Sequence, residues 1–355
     1  MAVALRARYV LWDLDLKVVE DGIVEIDDEG KIVGVGKYAG ELALNLGHVV
    51  LMPQLTNAHL HPLDVVIADR DDYYIDDLVG WPHGIKYWAL REAVHKRRHL
   101  RPLEHLAKRI KKYGIGCVVA FAEYSWKDVE RAFSKWGIEA IVFQEGHGDF
   151  PEAPYVQVAS PLDHEPAYLA RLRERAQLVA THVSETEECH REGDLELALG
   201  PLNADVLVHL VYAEPEEIAA IPRDKTVVVN PRANAYLVGR LPNLPALLEL
   251  KPLLGTDNVF VNEPDVWAEI KFLHAYAKTV GWPLDEKVLI KMATIWPWEK
   301  LKCNAPILPG VRAKALAVEL PYPTHNVYKF LARRAGPQDV AGFIEGNEVK
   351  FPDEL

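Results

Sequence analysis

The feature that most constrains the fold is a series of eight short apolar runs separated by stretches with helical spacing. This alternation is typical of βα units and a parallel sheet. Eight units favour a closed (β/α)8 barrel over an open doubly wound sheet, and no GxGxxG or GxxxxGK phosphate loop argues otherwise. PLEHLAKRIKKYG, EPAYLARLRERAQ and PEEIAAI are predicted helices between runs. The runs span residues 49–59, 115–123, 138–144, 155–160, 178–184, 205–211, 226–231 and 252–257.

Both ends of the chain have a different pattern, because they contain short strands joined by turns. Residues 1–49 hold three such strands, with a turn signal at Asp21-Gly22. The C-terminal residues repeat this pattern. We therefore expect 1–49 and 310–355 to form one small β-sandwich domain, and 50–309 to form the barrel. A chain of 355 residues accommodates a barrel of about 250 residues and a second, smaller domain.

Charge and hydropathy narrow the classes of partner. The net charge of −12 argues against a nucleic-acid or anionic-membrane surface, since both partners are polyanions. No apolar stretch approaches the ~18 residues of a membrane span, and acidic residues interrupt the N-terminal segment where a signal peptide needs an apolar core. We expect a cytoplasmic protein that acts on a small molecule. The sequence leaves open whether it forms a homodimer.

The three cysteines give no sign of a structural framework. Cys117, Cys189 and Cys303 are odd in number and widely spaced, and no CxxC pair is present. This pattern suggests neither a disulfide framework nor a thiolate zinc site. Cys117 lies in an apolar run and is predicted to be a small core residue.

Polar residues that close four of the apolar runs are the candidate metal ligands. His59 and His61 end the first run two residues apart, so both can point to the same side of a strand. His182, His209 and Asp257 end the fifth, sixth and eighth runs. Each histidine alone could be a hydrogen-bonded core residue. Because barrel active sites lie at the C-terminal ends of the strands, however, imidazoles and a carboxylate should converge there, as a divalent metal with open positions requires.

Glu185 is the candidate for proton transfer. It follows His182 by three residues, within expected reach of a metal-bound water. A water activated by a metal needs a nearby carboxylate to move its proton to the leaving group. The alternative is a surface acid in the first turn of the next helix, which fits Glu187 and Glu188 better than Glu185.

Residues around the mouth of the predicted barrel are candidates for substrate contact. Trp81, His83 and Trp88 lie between the first two runs and could cover a flat heterocycle. Packing against the rim is the simpler interpretation of these aromatic side chains. Arg232 and Asn262 follow the seventh and eighth runs, where they could contact substrate or only hold their loops.

Five motifs, taken together, resemble the amidohydrolase superfamily. MPQLTNAHLH, THVSETEE, VLVHLVY, NPRANAYL and LGTDN occur in that order and spacing, and the resemblance covers nearly the whole chain. The pattern is most similar to the branch that contains cytosine, guanine and adenosylhomocysteine deaminases. One departure is Pro53-Gln54, where the family usually has Pro-Gly.

The resemblance implies a residue-by-residue assignment of the site. His59, His61, His182 and Asp257 would bind one divalent ion, zinc or iron. Asp257 would also take a proton from the bound water. Glu185 falls at the position of the proton-shuttling glutamate of the family. His209 falls where a histidine polarises the scissile group.

The activity expected from these residues is hydrolytic deamination of an amino-substituted heterocycle, nucleobase- or nucleoside-like, by a metal-activated water. Ring opening of a cyclic amide, as in imidazolonepropionase-like relatives, would use the same residues and is the enzymatic alternative. A catalytically inactive relative with a binding role is the alternative from another class. Such a protein would not require Glu185 and His209 in addition to the metal ligands.

Overall fold

The computed structural model describes residues 2–67, 75–146 and 152–352. The chain divides into two compact units. One comprises Met1–Thr56, Lys108–Cys117 and Asp265–Leu355, and the other comprises Asn57–Ala107 and Val118–Pro264. The sequence-based boundaries after residue 49 and before residue 310 remain a prediction.

The strands of the described residues belong to two sheets. They are β1 (Val3–Trp12), β2 (Lys17–Ile26), β3 (Ile32–Lys37), β4 (Leu44–Asn45), β5 (Val49–Pro53), β6 (Leu55–His61), β7 (Ile115–Ala122), β8 (Glu139–Glu145), β9 (Tyr155–Val158), β10 (Leu178–Val183), β11 (Val206–His209), β12 (Thr226–Val229), β13 (Leu253–Leu254), β14 (Asp257–Asn258), β15 (Lys314–Glu319), β16 (Val340–Glu345) and β17 (Glu348–Lys350).

The helices lie mainly between the strands of the second sheet and near the C-terminus. They are α1 (Ile75–Val79), α2 (Ile85–His95), α3 (Leu100–Lys112), α4 (Trp126–Ser134), α5 (Pro166–Arg175), α6 (Glu187–Arg191), α7 (Asp194–Leu199), α8 (Pro215–Ala220), α9 (Pro231–Leu237), α10 (Leu244–Leu247), α11 (Val266–Val280), α12 (Glu286–Ala293), α13 (Ile295–Leu301) and α14 (Val327–Arg333). No helix among the described residues is long and apolar enough to cross a bilayer.

The predicted helices are confirmed at α3, α5 and α8. In α5, a proline occupies the first turn, where its missing N–H costs no hydrogen bond, and Leu169 and Leu172 are buried at helical spacing. In α8, the side chains of Glu214 and Glu217 form a reciprocal capping box at the N-terminus. Local sequence therefore determines where these helices begin.

The first sheet contains strands from both chain ends, as expected. Its order is β17-β16-β15-β5-β1-β2-β3, with β4 paired to β1. Antiparallel β1 and β2 run in continuous register from Val3↔Ile26 to Trp12↔Lys17. Buried aliphatic side chains from both ends pack together, among them Leu5, Leu51, Ala315 and Ile344. This shared core explains why the two ends of the chain have the same sequence pattern.

The first apolar run is two strands rather than one, which corrects the prediction. β5 pairs with β1 and β15 in the first sheet, whereas β6 belongs to the second sheet. The break falls at Gln54, which is fully buried and donates from Nε2 to the carbonyl of Ala315 at 3.3 Å. A Cβ on Gly116 would lie 1.9 Å from Gln54 Oε1, so only glycine leaves room for this amide. The pattern of apolar residues in this run does not reveal such a break.

The second sheet is parallel and has the order β13-β12-β11-β10-β9-β8-β7-β6-β14. The eighth run forms two short strands, β13 and β14, which pair with strands at opposite ends of this sheet order. Leu253 aligns with Val228 of β12, and Asp257 aligns with Leu60 of β6. This pairing closes the sheet, so the predicted (β/α)8 barrel is confirmed. Every residue of β7 is buried, as expected for a parallel strand that is covered on both faces.

A disulfide joins two cysteines that the sequence pattern did not connect. Cys117 on β7 and Cys303 after α13 are bonded, with their Cα atoms 5.9 Å apart. The expectation that no disulfide forms is wrong, because a separation of 186 residues gives no local signal. Cys117 is fully buried, as predicted, and Cys189 takes no part in the disulfide.

Replacing both bonded cysteines, Cys117→Ala with Cys303→Ala, should lower the free energy of unfolding by about 5 kcal/mol. The reason is that the disulfide closes a loop of 186 residues in the unfolded chain. Urea unfolding of the oxidised proteins measures the loss, and reduced wild type should behave like the double variant. Cys189→Ala is the control and should change little. Equal unfolding midpoints for oxidised wild type and the double variant would contradict the prediction.

Candidate active site

Five predicted site residues converge at the C-terminal ends of the barrel strands. His59 and His61 lie on β6, His182 on β10, His209 at the end of β11 and Asp257 at the start of β14. Ligand atoms of His59, His61 and His182 lie within 4.8 Å of one another, as do those of His59, His209 and Asp257. The structure therefore brings these five side chains together at one rim of the barrel.

The backbone that presents these groups is strained at two positions. His209 has φ 82° and Asp257 has φ 65°, conformations that L-residues adopt at a cost of about 1–3 kcal/mol each. Beside them, a Cβ on Gly255 would lie 2.6 Å from the Cβ of His59 and 2.3 Å from Asn230 Oδ1. The strand carrying His59 can approach this closely only because position 255 has no side chain.

Hydrogen bonds fix the orientation of two imidazoles. His61 donates from Nδ1 to Glu123 Oε1 at 2.7 Å, and His182 donates from Nδ1 to the carbonyl of Ala159 at 2.8 Å. Lys86 Nζ also lies 3.1 Å from His61 Nδ1, and the shorter contact with the Glu123 carboxylate assigns the proton to Nδ1. With both Nδ1 atoms as donors, the Nε2 atom of each ring is unprotonated. These two Nε2 atoms face each other at 3.3 Å. Two lone pairs in that arrangement repel unless a cation lies between them, and hydrogen-bond acceptors behind histidine ligands are usual at metal sites.

The donor distances fit a divalent metal ion. Zinc–nitrogen bonds of about 2.0–2.1 Å place neighbouring donors of a tetrahedron about 3.4 Å apart. His59 Nε2 lies 3.2 Å from Asp257 Oδ1, and His61 Nε2 lies 3.5 Å from the same oxygen. The 3.3 Å between the Nε2 atoms of His61 and His182 falls in the same range. Three imidazoles and a carboxylate can thus surround one ion.

The histidines are in the charge state that metal binding needs. Burial, together with the positive charge of Lys86, lowers the pKa of His59 to about 3. Burial likewise lowers the pKa of His209 to about 3 and holds the pKa values of His61 and His182 well below the usual value. All four rings are therefore neutral at pH 7, with a lone pair available on one nitrogen.

His209 differs from the other histidines in which nitrogen carries the proton. Asn234 donates from Nδ2 to His209 Nδ1 at 2.8 Å, so the proton of the neutral ring is on Nε2. That Nε2 lies 3.5 Å from Glu185 Oε2. His209 consequently presents a hydrogen-bond donor to the site, whereas His61 and His182 present acceptors.

Two cavities open beside the cluster. The inner cavity has a volume of about 80 Å³ and is lined by His61, His182, His209, Asp257 and Glu185, among others. The outer cavity measures about 400 Å³ and shares Ala159, His182 and Glu185 with the inner one. The inner cavity can hold a compact reacting group, and a substituent of the same ligand can extend into the outer cavity.

The candidate substrate residues divide into two groups. Trp81 and His83 line the outer cavity, so the structure brings them to the site. Trp88 is 64% exposed and lies outside both cavity linings. Arg232 and Asn262 are also outside both linings. Arg232 donates to the carbonyl of Glu263 at 2.7 Å, which indicates that it holds its loop.

Sequence reasoning missed a buried ionic group behind His61. Lys86 Nζ lies 2.6 Å from Glu123 Oε1 and 3.4 Å from Asp64 Oδ1, and all three side chains are almost fully buried. Glu123 ends the second apolar run, so the rule that identified His182 also applied to it. Lys86 gave no such signal, because it lies in a helix with little separation of polar and apolar faces.

Lys86 balances the charge of this group. Burial would lower its pKa, but Asp64 and Glu123 raise it above the usual value, so the lysine is charged. Burial raises the pKa of Asp64 to about 7, although Lys86 opposes this shift. Asn258 donates to Asp64 Oδ2 at 2.8 Å. The lysine therefore places a positive charge between two buried carboxyl groups and beside a neutral histidine.

Lys86→Met should destabilise the fold by about 3–5 kcal/mol, because it leaves Glu123 buried without its counterion. Chemical denaturation at pH 7 measures this change. The double variant Lys86→Met with Glu123→Gln should recover part of the loss, since neither charge then remains. If the stability losses of the two single substitutions simply add in the double variant, the pair does not interact and the prediction is wrong.

Comparison with known proteins identifies relatives of the same fold. No family model matches the chain. A curated protein of Methanothermobacter thermautotrophicus named "Putative aminohydrolase" is 27% identical over 290 residues, which cover 72% of this chain and 73% of that protein.

Two solved structures superpose over almost the whole chain. An adenosine deaminase from Xanthomonas campestris with bound zinc has a TM-score of 0.79 and 20% identity, covering 99% of this chain and 93% of its own. Guanine deaminase from C. acetobutylicum with bound guanine has a TM-score of 0.81 and 15% identity, covering 99% and 100%. These comparisons confirm the resemblance that the motifs indicate: the chain has the fold of the amidohydrolase superfamily.

Proposed function

We propose that this chain is a metal-dependent hydrolase that removes an amino group from a heterocycle of nucleobase or nucleoside type. The observation that carries the proposal is the pair of unprotonated Nε2 atoms of His61 and His182, 3.3 Å apart, in a cavity that also holds Asp257 and Glu185. This set combines metal ligands with a group that can move protons. Relatives of the same fold include an adenosine deaminase and a guanine deaminase.

One divalent ion would be held by His59, His61, His182 and Asp257. When bound, such an ion supplies Lewis acidity that makes water a nucleophile at neutral pH. Nitrogen and oxygen donors suit zinc, and iron is the second candidate. The zinc in the adenosine deaminase of this fold favours zinc here.

The residues of the chain then handle the protons of the reaction. Water adds to the carbon that bears the amine, and Asp257 accepts one of its protons. Glu185 carries a proton to the amine, so that the carbon–nitrogen bond breaks and ammonia leaves while the ring keeps an oxygen. His209 donates from Nε2 to the atom on which negative charge develops, because Asn234 holds the proton on that nitrogen.

Hydrolysis of a cyclic amide is the second candidate, because the same ligands and the same glutamate would serve it. The two reactions differ in product: deamination releases ammonia, whereas ring opening creates a carboxylate. An inactive relative with a binding role would release neither product.

The test is ammonia release from a panel of amino-substituted pyrimidines, purines and nucleosides by protein loaded with zinc. Release that stops after chelation and returns when zinc is restored supports the proposal. Carboxylate formation without ammonia, from cyclic amides in the same assay, would replace deamination by ring opening. Binding of heterocycles with neither product would favour the inactive relative.

A further inference from the structure

The turn that carries Glu185 has a strained backbone. Ser184 lies between the end of β10 and Glu185, and its φ of 49° is a left-handed conformation that an L-residue adopts only at a cost. Ser184 is also completely buried. Its conformation sets the direction in which the chain leaves the strand, and therefore the place that the side chain of Glu185 can reach. Such a conformation persists only where surrounding contacts hold it.

Asp194, in the first turn of α7, supplies two of those contacts. Its Oδ2 accepts the backbone N–H of Ser184 at 2.5 Å, and its Oδ1 accepts the Ser184 hydroxyl at 3.3 Å. His190 Nδ1 lies 3.1 Å from the same hydroxyl, which can accept from the ring while it donates to Asp194. Asp194 is 1% exposed. Because it lies ten positions beyond Ser184, the pair closes a loop that contains Glu185 and α6.

Further hydrogen bonds fix the turn on both sides of Glu185. The carbonyl of Ser184 accepts the backbone N–H of Tyr212 at 2.9 Å. The hydroxyl of Thr186 caps α6 by accepting a backbone N–H from its first turn at 3.2 Å. Glu185 therefore follows one fixed residue and precedes another. From this position its Oε2 lies 3.5 Å from His209 Nε2, at the edge of the inner cavity.

We propose that Asp194 is a positioning residue for proton transfer, because it holds Ser184 in the left-handed conformation that aims Glu185 at the inner cavity. This inference rests on the proposed function, since Asp194 acts only through Glu185. Displacement of a reacting group by about 1 Å can reduce a rate about 10²-fold. Asp194 also lines the outer cavity, so direct contact with substrate is the alternative that the test must separate.

The kinetics of Asp194→Ala test this role with zinc-loaded protein. The substitution removes both acceptors and should lower kcat for ammonia release about 10- to 100-fold, with KM and metal content nearly unchanged. Asp194→Asn keeps an acceptor for the Ser184 N–H and should recover most of the rate. Asp205→Ala is the matched control, because Asp205 accepts the N–H of Val179 at 2.8 Å near the opposite end of β10. That variant should keep the wild-type kcat.

A double-mutant cycle shows whether Asp194 acts through Glu185. In the Glu185→Gln protein, Asp194→Ala should change kcat by less than about twofold, because the side chain that it positions no longer carries a proton. Effects that multiply, or a raised KM with unchanged kcat, would indicate substrate contact or a separate role and overturn the inference. Wild-type kcat in Asp194→Ala, shown by thermal melting to be folded, would do the same.

Crystal structures of metal-loaded wild type and Asp194→Ala provide a readout that needs no turnover. In the variant, Ser184 should leave the left-handed region and the Glu185 carboxylate should move away from His209. An unchanged turn would contradict the inference whatever the activity. Asp194→Ser, whose hydroxyl is too short to reach both donors of Ser184, should show the same changes and replaces Asp194→Ala if that variant does not fold.

The two proposals fail separately in these experiments. If no heterocycle releases ammonia, or Glu185→Gln keeps the wild-type rate, the proposed function or its proton carrier is wrong, while the position of Glu185 in the crystal structures still decides what Asp194 does. If Glu185→Gln is slow and Asp194→Ala is not, only the positioning role is wrong.

Discussion

Glu185→Gln is expected to leave the metal bound and to reduce ammonia release by about 10²–10⁴-fold, the usual contribution of a general acid or base. Glutamine has nearly the same shape but cannot carry a proton. Glu185 Oε2 lies 3.5 Å from His209 Nε2 and lines both cavities, so the substitution acts at the site rather than on the fold. Steady-state ammonia release and metal content, measured on the same preparation, give both results.

The matched control is Glu187→Gln, two residues away. Glu187 is exposed and pairs with Arg191 on the surface of α6, where a salt bridge contributes little. The Glu187→Gln substitution should change neither the rate of ammonia release nor the metal content. If Glu185→Gln turned over at the rate of this control, Glu185 would not carry the proton.

Asp257→Asn is expected to remove both the metal and the activity. The substitution takes away the only anionic ligand of the proposed set and the acceptor for a proton of water. A metal contributes several kcal/mol to such a reaction, so the rate should fall about 10³-fold or more. Asparagine tolerates the positive φ of 65° at this position, which preserves the backbone. Elemental analysis after dialysis and ammonia release are the measurements.

Asp224→Asn provides the comparison, because Asp224 is exposed in the turn before β12. That variant should bind metal and release ammonia as wild type does. Full metal content in Asp257→Asn would show that the carboxylate is not a necessary ligand, and the three histidines alone would then have to hold the ion.

The convergence of the proposed ligands was predictable because it follows from the topology of a parallel barrel. Residues two apart on a strand share a side, and the ends of the strands meet at one rim. This rule alone was enough to predict that the proposed ligands lie together: His59, His61, His182 and Asp257. The same rule applied to Glu123 at the end of the second run and to Glu145 just beyond the third, but the sequence analysis identified neither as a site residue.

Other features depend on contacts between distant parts of the chain. The break at Gln54 coincides with a close approach of its amide to Gly116, which no periodicity encodes. Cys117 and Cys303 are separated by 186 positions in the sequence, so no local pattern pairs them. The charge of Lys86 is retained because Asp64 and Glu123 surround it, so its role became visible only in three dimensions.

The metal content of protein purified without chelators tests the central claim most directly. Elemental analysis should find about one zinc or iron ion per chain. Removing the ion should abolish ammonia release, and restoring zinc should recover it. Near two ions per chain would contradict a mononuclear site, and no metal, with no uptake on reconstitution, would contradict metal-dependent hydrolysis altogether.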